Sequence, residues 1–185
     1  MPSPSVELLS IDGQTAGQHI DELSALYREV YAEAPYGWGD EHVALFGQWF
    51  DGQRRQDGFT LIEAREHGAL VAMGFGVTLL PNTPWWQNLV KPVADGVTQE
   101  YPNRTFALVE LLVRAPWRRR HIAEYVHDLL LEDRIEQRAT LTVLPAAEAA
   151  QAAYRKWGWR KVAQKRNPLP GAPVFDVLVR ELVKK

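Results

Sequence analysis

The chain has 185 residues, of which 46% are apolar and 10% aromatic, enough to build one domain, spanning residues 1–185, around a substantial core. A formal charge of -2 argues against a non-specific nucleic-acid binder, which needs a cationic face to neutralise phosphates; Arg118 to Arg120 form the only run of three basic residues. The absence of cysteine excludes disulfide staples, thiolate metal ligands and a thiol nucleophile.

Met1-Pro2-Ser3-Pro4-Ser5 has neither a basic segment nor an apolar one, and no apolar run approaches membrane-spanning length. A soluble cytoplasmic protein with no membrane attachment is expected. Val6 to Ile11 reads as a first strand, and Gly13 opens a polar turn. Ile20, Leu23, Leu26, Tyr27, Val30 and Tyr31 recur at helical spacing, with Asp21 and Glu22 placed to favour the helix start. Ala34-Pro35-Tyr36-Gly37-Trp38-Gly39 breaks that pattern, Asp40 is positioned to cap the next helix, and Val43 to Phe50 supply its apolar face.

Phe59 to Arg65 and Ala69 to Leu80 are strand-like and joined by Glu66-His67-Gly68, short enough for an antiparallel hairpin. Pro81 to Pro102 is a long loop carrying Trp85 and Trp86. Phe106 to Val113 is apolar except for Glu110 and reads as a strand buried on both faces. Ile122, Val126, Leu129 and Leu130 then mark a helix, Thr140 to Leu144 a strand, and Ala146 to Trp157 a helix stopped by Gly158. Trp159 to Gln164 and Val174 to Leu182 are the last two strands, separated by Asn167-Pro168-Leu169-Pro170-Gly171.

The stretch from Leu111 to Glu124 carries the most information. An apolar strand passes through Pro116 and a cluster of arginines into an amphipathic helix, which aims free backbone N–H groups at an anion and outlines a phosphate cradle. Tyr154-Arg155-Lys156-Trp157-Gly158-Trp159 follows at the end of a later helix. With these two segments and the order strand, two helices, three strands, helix, strand, helix, two strands, the chain resembles the GNAT N-acetyltransferase superfamily.

The resemblance implies an α/β fold with a central mixed, mostly antiparallel sheet of about seven strands flanked by about four helices. It also implies acetyl-CoA as co-substrate. In the family the pantetheine arm lies beside a splayed strand and bonds to its backbone, a role that falls here to Leu111, Leu112 and Val113. The pyrophosphate would rest on the N–H groups of Arg118, Arg119, Arg120, His121, Ile122 and Ala123, where the family shows Q/R-x-x-G-x-G/A. Arg118 and Ala123 match, whereas His121 replaces the glycine, so that its side chain either restricts the approach and the backbone angles or adds a donor to the phosphate. Relatives commonly have V-x-P-x-N before the second helix, and here Ala147 replaces that asparagine.

Acetyl transfer to an amine needs a base and a proton for the departing thiolate. Glu110, a lone carboxylate in an apolar strand, is the candidate base; the other reading pairs it with an arginine such as Arg114 or turns it to a polar edge. Tyr154, four residues before Gly158, has the family spacing of the proton donor, against the reading of a packed core tyrosine. The resemblance places the acceptor, a small-molecule primary amine, along the first two helices and the loop after the third strand. Tyr31, Tyr36, Trp38, Trp85 and Trp86 are the candidate contacts, and packing on the sheet or a homodimer partner is the other reading of the tryptophan pair. His121 and His127 fall on different faces of a helix, and no metal-binding spacing is present. Two rival readings stand beside the enzyme: a GNAT fold that no longer uses acetyl-CoA, serving as a small-molecule binder or another enzyme, and an interaction module dimerising through its tryptophans.

Overall fold

The computed structural model describes residues 6–166 and 173–182. Met1 to Ser5 and the segment expected to separate the last two strands, Asn167 to Gly171, lie outside these residues. In chain order the elements are β1 (Val6–Ile11), α1 (Gly13–Gln18), α2 (Ile20–Tyr31), α3 (Asp40–Gln53), β2 (Thr60–Glu66), β3 (Ala69–Thr78), α4 (Asp95–Thr98), β4 (Thr105–Val113), α5 (Ile122–Leu131), β5 (Arg138–Val143), α6 (Glu148–Lys156), β6 (Arg160–Arg166) and β7 (Val174–Glu181). Short 3-10 turns occupy Pro84–Trp86 and Ala115–Trp117. The sheet order is β1-β2-β3-β4-β5-β7-β6. Pairing is parallel between β4 and β5 and antiparallel in β1 with β2, β2 with β3, β5 with β7 and β6 with β7.

The expected order of strands and long helices is the one observed, with two short helices added. The polar turn expected at Gly13 is helix α1, because the Asp12 carboxylate accepts the Thr15 backbone N–H at 2.8 Å and so caps a helical turn. The second addition, α4, interrupts the long loop after β3. Helix α6 begins at Glu148, two residues later than its alanine run suggests. Between β2 and β3 the hairpin turns on His67 and Gly68, both at positive φ, the geometry that matches the twist of paired strands.

The chain falls into two compact units, residues 1–77 with 108–132, and residues 78–107 with 133–185. In the first, α2 presents Leu23, Leu26 and Tyr27, and α3 presents Val43, Phe46 and Phe50, to a core that includes Leu61, Met73, Phe75 and Leu112. Strand alternation settles where Glu110 points. Leu108, Glu110 and Leu112 are buried while Val109, Leu111 and Val113 are half-buried, so the carboxylate shares the face of Leu112, which packs with the α2 and α3 cluster. Helix α5 packs closely over Gly74: a Cβ there would stand 2.7 Å from Val126 Cγ1 and 3.1 Å from Leu111 Cδ1.

A fully buried Glu63 on β2 ties the helices of this unit to its strands. Its two oxygens meet His19 Nδ1 and Arg65 Nε, each at 2.8 Å, and Arg65 reaches on to Glu22 at 2.7 Å. In the second unit, the short parallel pairing joins Thr105–Ala107 to Arg138–Thr140. Trp86 packs with Ala163, Val177 and Val179, its indole N–H donating to Glu100 at 2.9 Å, and the same carboxylate oxygen accepts from Arg138 at 2.9 Å.

Candidate active site

The site begins at the end of β4. Val113 leads through Arg114, which donates to the Leu70 carbonyl at 2.9 Å and pairs with Glu29, into the 3-10 turn at Ala115–Trp117. Trp117 fixes that turn by donating its indole N–H to Glu66 at 2.7 Å. The chain then reaches α5 through two residues in the left-handed region, Arg119 at φ 60° and His121 at φ 61°. His121 is the N-cap of α5, with ψ 8°. The residue in the family's glycine position therefore takes up a glycine-like backbone, and the expected restriction of φ/ψ is met by a histidine, one of the side chains enriched there.

Its ring points outward, 64% exposed, with Nδ1 2.8 Å from Glu124. A left-handed residue followed by a helical one turns successive N–H groups to the same side, and the first turn of α5 adds N–H groups that have no intrahelical acceptor. This donor set at the positive end of a ten-residue helix suits a pyrophosphate. Arg118 donates to the Val113 carbonyl at 3.1 Å and to Glu33 at 2.6 Å, and Arg120 lies 3.8 Å from Glu66. Among the described residues nothing pairs with the Arg119 guanidinium, which leaves it available to an anion.

Glu110 lies on the buried face of β4 and, among the described residues, is paired with no arginine. Its Oε2 accepts the Tyr31 hydroxyl at 2.5 Å, while Arg114 is engaged elsewhere. Burial pushes its carboxyl up to about 8, and the Tyr31 hydrogen bond opposes that rise. Burial and the facing carboxylate hold Tyr31 well above the usual phenol range, so its proton stays in place as a donor; Tyr27 and Tyr36 are raised in the same way. Tyr31, Tyr36 and Trp38 form one cluster, with Trp38 stacked on Tyr31 at 4.4 Å and Tyr36 edge-on to it at 4.7 Å. The sequence pointed to these residues as acceptor contacts but gave no sign that Tyr31 meets Glu110. The available signal was chemical: a tyrosine on the apolar face of a helix and a glutamate in an apolar strand each need a buried partner.

The remaining candidates belong to the second unit. Tyr154 is buried in α6 with its ring 5.8 Å from Trp157 and 5.9 Å from Trp159. Trp85 and Trp86 belong to the 3-10 turn packed on β6 and β7, and Lys165 sits 5.4 Å over the Trp85 ring. Ala147 caps α6 without a side-chain hydrogen bond, as expected from the missing asparagine. Among the described residues no group of three His, Asp or Glu could hold a metal, and no helix is long and apolar enough to cross a membrane.

A family model, that of the acetyltransferase (GNAT) family, matches residues 23–159. The chain belongs to the GNAT acetyltransferase family. Membership makes it an acyltransferase of the N-acetyltransferase kind, and its mixed, mostly antiparallel seven-stranded sheet is the architecture of GNAT structures. Among solved structures, the ribosomal-protein-S18-alanine N-acetyltransferase from Escherichia coli aligns with 14% identity and a TM-score of 0.60, over 97% of this chain and 96% of its own. The PaiA N-acetyltransferase from Thermoplasma acidophilum, solved in complex with coenzyme A, gives 10% identity and a TM-score of 0.63 over 96% and 99%. An aminoglycoside 6'-acetyltransferase type Ii gives 15% identity and 0.65 over 97% and 99%. At such identities these structures share a fold with this GNAT protein, and fold alone does not fix an acceptor. Among curated proteins none matches the sequence.

Proposed function

We propose that this GNAT protein transfers an acetyl group from acetyl-CoA to a primary amine of a small molecule, by direct transfer in a ternary complex in the cytoplasm. The observation that carries the reading is Glu110, a buried carboxylate raised to about 8 and hydrogen-bonded by Tyr31. A group with that value holds and releases a proton near neutral pH, as a general base for an ammonium must. The donor set of residues 118–123 supports coenzyme A binding at the head of α5, with Leu111 to Val113 offering strand backbone to the pantetheine arm.

Acetyl-CoA supplies the acyl group as a thioester. Glu110 takes the proton of the incoming ammonium at its carboxylate, freeing the nitrogen lone pair for the new C–N bond. Tyr154, by its family position, donates its hydroxyl proton to the sulfur as the C–S bond breaks. Tyr36 and Trp38 offer aromatic surface to the amine.

Because the chain has no cysteine, a thiol-reactive dye reports only the coenzyme A released. Acetyl-CoA is to be offered with phenethylamine, putrescine, lysine and glucosamine as acceptors. Amine-dependent thiol release is expected, reduced at least a hundredfold by Glu110→Gln and more than tenfold by Tyr154→Phe, with coenzyme A affinity kept in both. Release no faster than spontaneous hydrolysis with every amine contradicts the proposal.

A further inference from the structure

We infer that Tyr31 is the positioning residue of this site: its hydroxyl seats the Glu110 carboxylate by donating to it, and a stack of aromatic rings holds that hydroxyl in place. The inference rests on the reading of Glu110 as the base. It changes the part expected of Tyr31, whose polar atom is spent on the protein and not on the acceptor.

The geometry leaves the ring little freedom. Tyr27 lies 4.4 Å from it, Trp38 stacks on it at 4.4 Å and 22°, and Tyr36 meets it edge-on at 87°. Each neighbour is itself anchored. Tyr27 stacks on the fully buried Phe46 at 4.4 Å, which ties the cluster to the core. Trp38 stacks on His42 at 7°, and its backbone N–H donates to the Tyr31 carbonyl at 2.8 Å, which folds the loop after α2 back onto its last residue. The phenol therefore reaches Glu110 as a rigid arm, preorganised in the way an oriented hydrogen bond to a reacting group requires.

The chemistry follows from which groups face the carboxylate. Tyr31 is the titratable group that acts on Glu110, the carboxylate in turn raises Tyr31, Tyr27 and Tyr36, and among the described residues no lysine or arginine pairs with it. Burial alone favours the protonated acid, which is useless as a base. Among the described residues the one donor aimed at the carboxylate is the Tyr31 hydroxyl, and a hydrogen bond to a charged acceptor favours the ionised form. Tyr31 thus keeps a desolvated glutamate within reach of ionisation near neutral pH. A residue that only filled space would have no such effect.

The test compares wild type, Tyr31→Phe, Glu110→Gln and the double variant. The first readout needs no acceptor: unfolding free energy is measured against pH, and the difference from Glu110→Gln locates the ionisation of Glu110 in the folded protein. Tyr31→Phe is expected to move that inflection to higher pH. The second is thiol release with acetyl-CoA and the fastest amine of the four above, where Tyr31→Phe is expected to lose about tenfold in kcat/KM at pH 7, the worth of one hydrogen bond to a charged group. The wild-type to variant ratio should fall toward one as pH rises, with KM for acetyl-CoA unchanged. In the Glu110→Gln background, removal of the hydroxyl should add no further loss.

An unmoved inflection together with a pH-independent ratio overturns the inference. Full turnover in Glu110→Gln refutes the base itself, whereas loss in Glu110→Gln with wild-type behaviour in Tyr31→Phe refutes only the positioning. Should Tyr31→Phe unfold below the assay temperature, Trp38→Leu, which loosens the ring while keeping the hydroxyl, is expected to shift the inflection in the same direction; an unmoved inflection there counts against the inference.

Discussion

The His121 ring lies 2.8 Å from the Glu124 carboxylate, while its own backbone stands in the left-handed region at the head of α5. The side chain has turned outward along the helix start, and the strain of the position resides in φ, not in a clash. His121→Gly removes that strain, worth about 1 kcal/mol, and gives up an exposed contact worth less. The variant should be as stable as wild type or up to about 1 kcal/mol more stable in a denaturant melt. His121→Val, β-branched at positive φ, should lose about 2 kcal/mol.

Gly158 stands at φ 84° just past α6. Trp159 N–H bonds to the Tyr154 carbonyl at 3.0 Å and Gly158 N–H to that of Arg155 at 3.1 Å, while the Tyr154 and Trp159 rings meet. These are the paired bonds and apolar contact of a Schellman stop, which needs a left-handed residue at its turn. Nothing lies within 4 Å of an added Cβ, so Gly158→Ala carries a conformational penalty alone. A loss of about 1 kcal/mol is expected by chemical denaturation.

Gly74 answers a different need, because its neighbours crowd it. An added methyl meets Val126 at 2.7 Å and Leu130 at 2.9 Å, pressing α5 away from the strand beneath. Gly74→Ala should cost about 1–3 kcal/mol. Because the turn proposed to hold coenzyme A leads into α5, the same variant should weaken coenzyme A more than Gly158→Ala does, a comparison that calorimetry makes directly.

The raised Glu110 carboxyl makes stability depend on pH with a definite sign. Its folded value, about 8, lies above the ordinary 4.5, so the folded protein holds a proton that the unfolded chain releases. This contribution is full below about pH 4.5 and is lost as pH rises to about 8, at about 1.4 kcal/mol per unit. Glu110→Gln does not titrate, and its amide oxygen can still accept from Tyr31. Relative to wild type it should gain stability over that window, by roughly 3 kcal/mol at pH 7, with the difference vanishing near pH 4.5.

Local signals in the sequence carried most of the fold. Apolar periodicity placed α2, α3 and α5, Gly158 placed the end of α6, and the two-residue turn at His67 and Gly68 placed the β2–β3 hairpin. Helix α1 carries no such signal, because a polar segment of six residues has no apolar stripe and depends on the Asp12 cap alone. The turn proposed as a phosphate cradle was legible as a turn because its parts are contiguous, down to the glycine-like backbone that His121 takes up. The Tyr31–Glu110 bond spans 79 residues and exists only because β4 alternation turns Glu110 under the end of α2, a tertiary fact that no local pattern carries. Trp85 and Trp86 mark the opposite case: aromatic residues in a loop suggested a cleft, and the structure packs Trp86 onto β6 and β7 with its N–H satisfied by Glu100.

In the proposed function, the turn from Arg118 to Ala123 holds coenzyme A and so makes this GNAT protein dependent on acetyl-CoA. Calorimetric titration of the full chain with acetyl-CoA tests it most directly. One site with micromolar affinity is expected, with about 2.7 kcal/mol of added stability at a hundred times the dissociation constant. No heat of binding and no shift in melting at millimolar acetyl-CoA would contradict it.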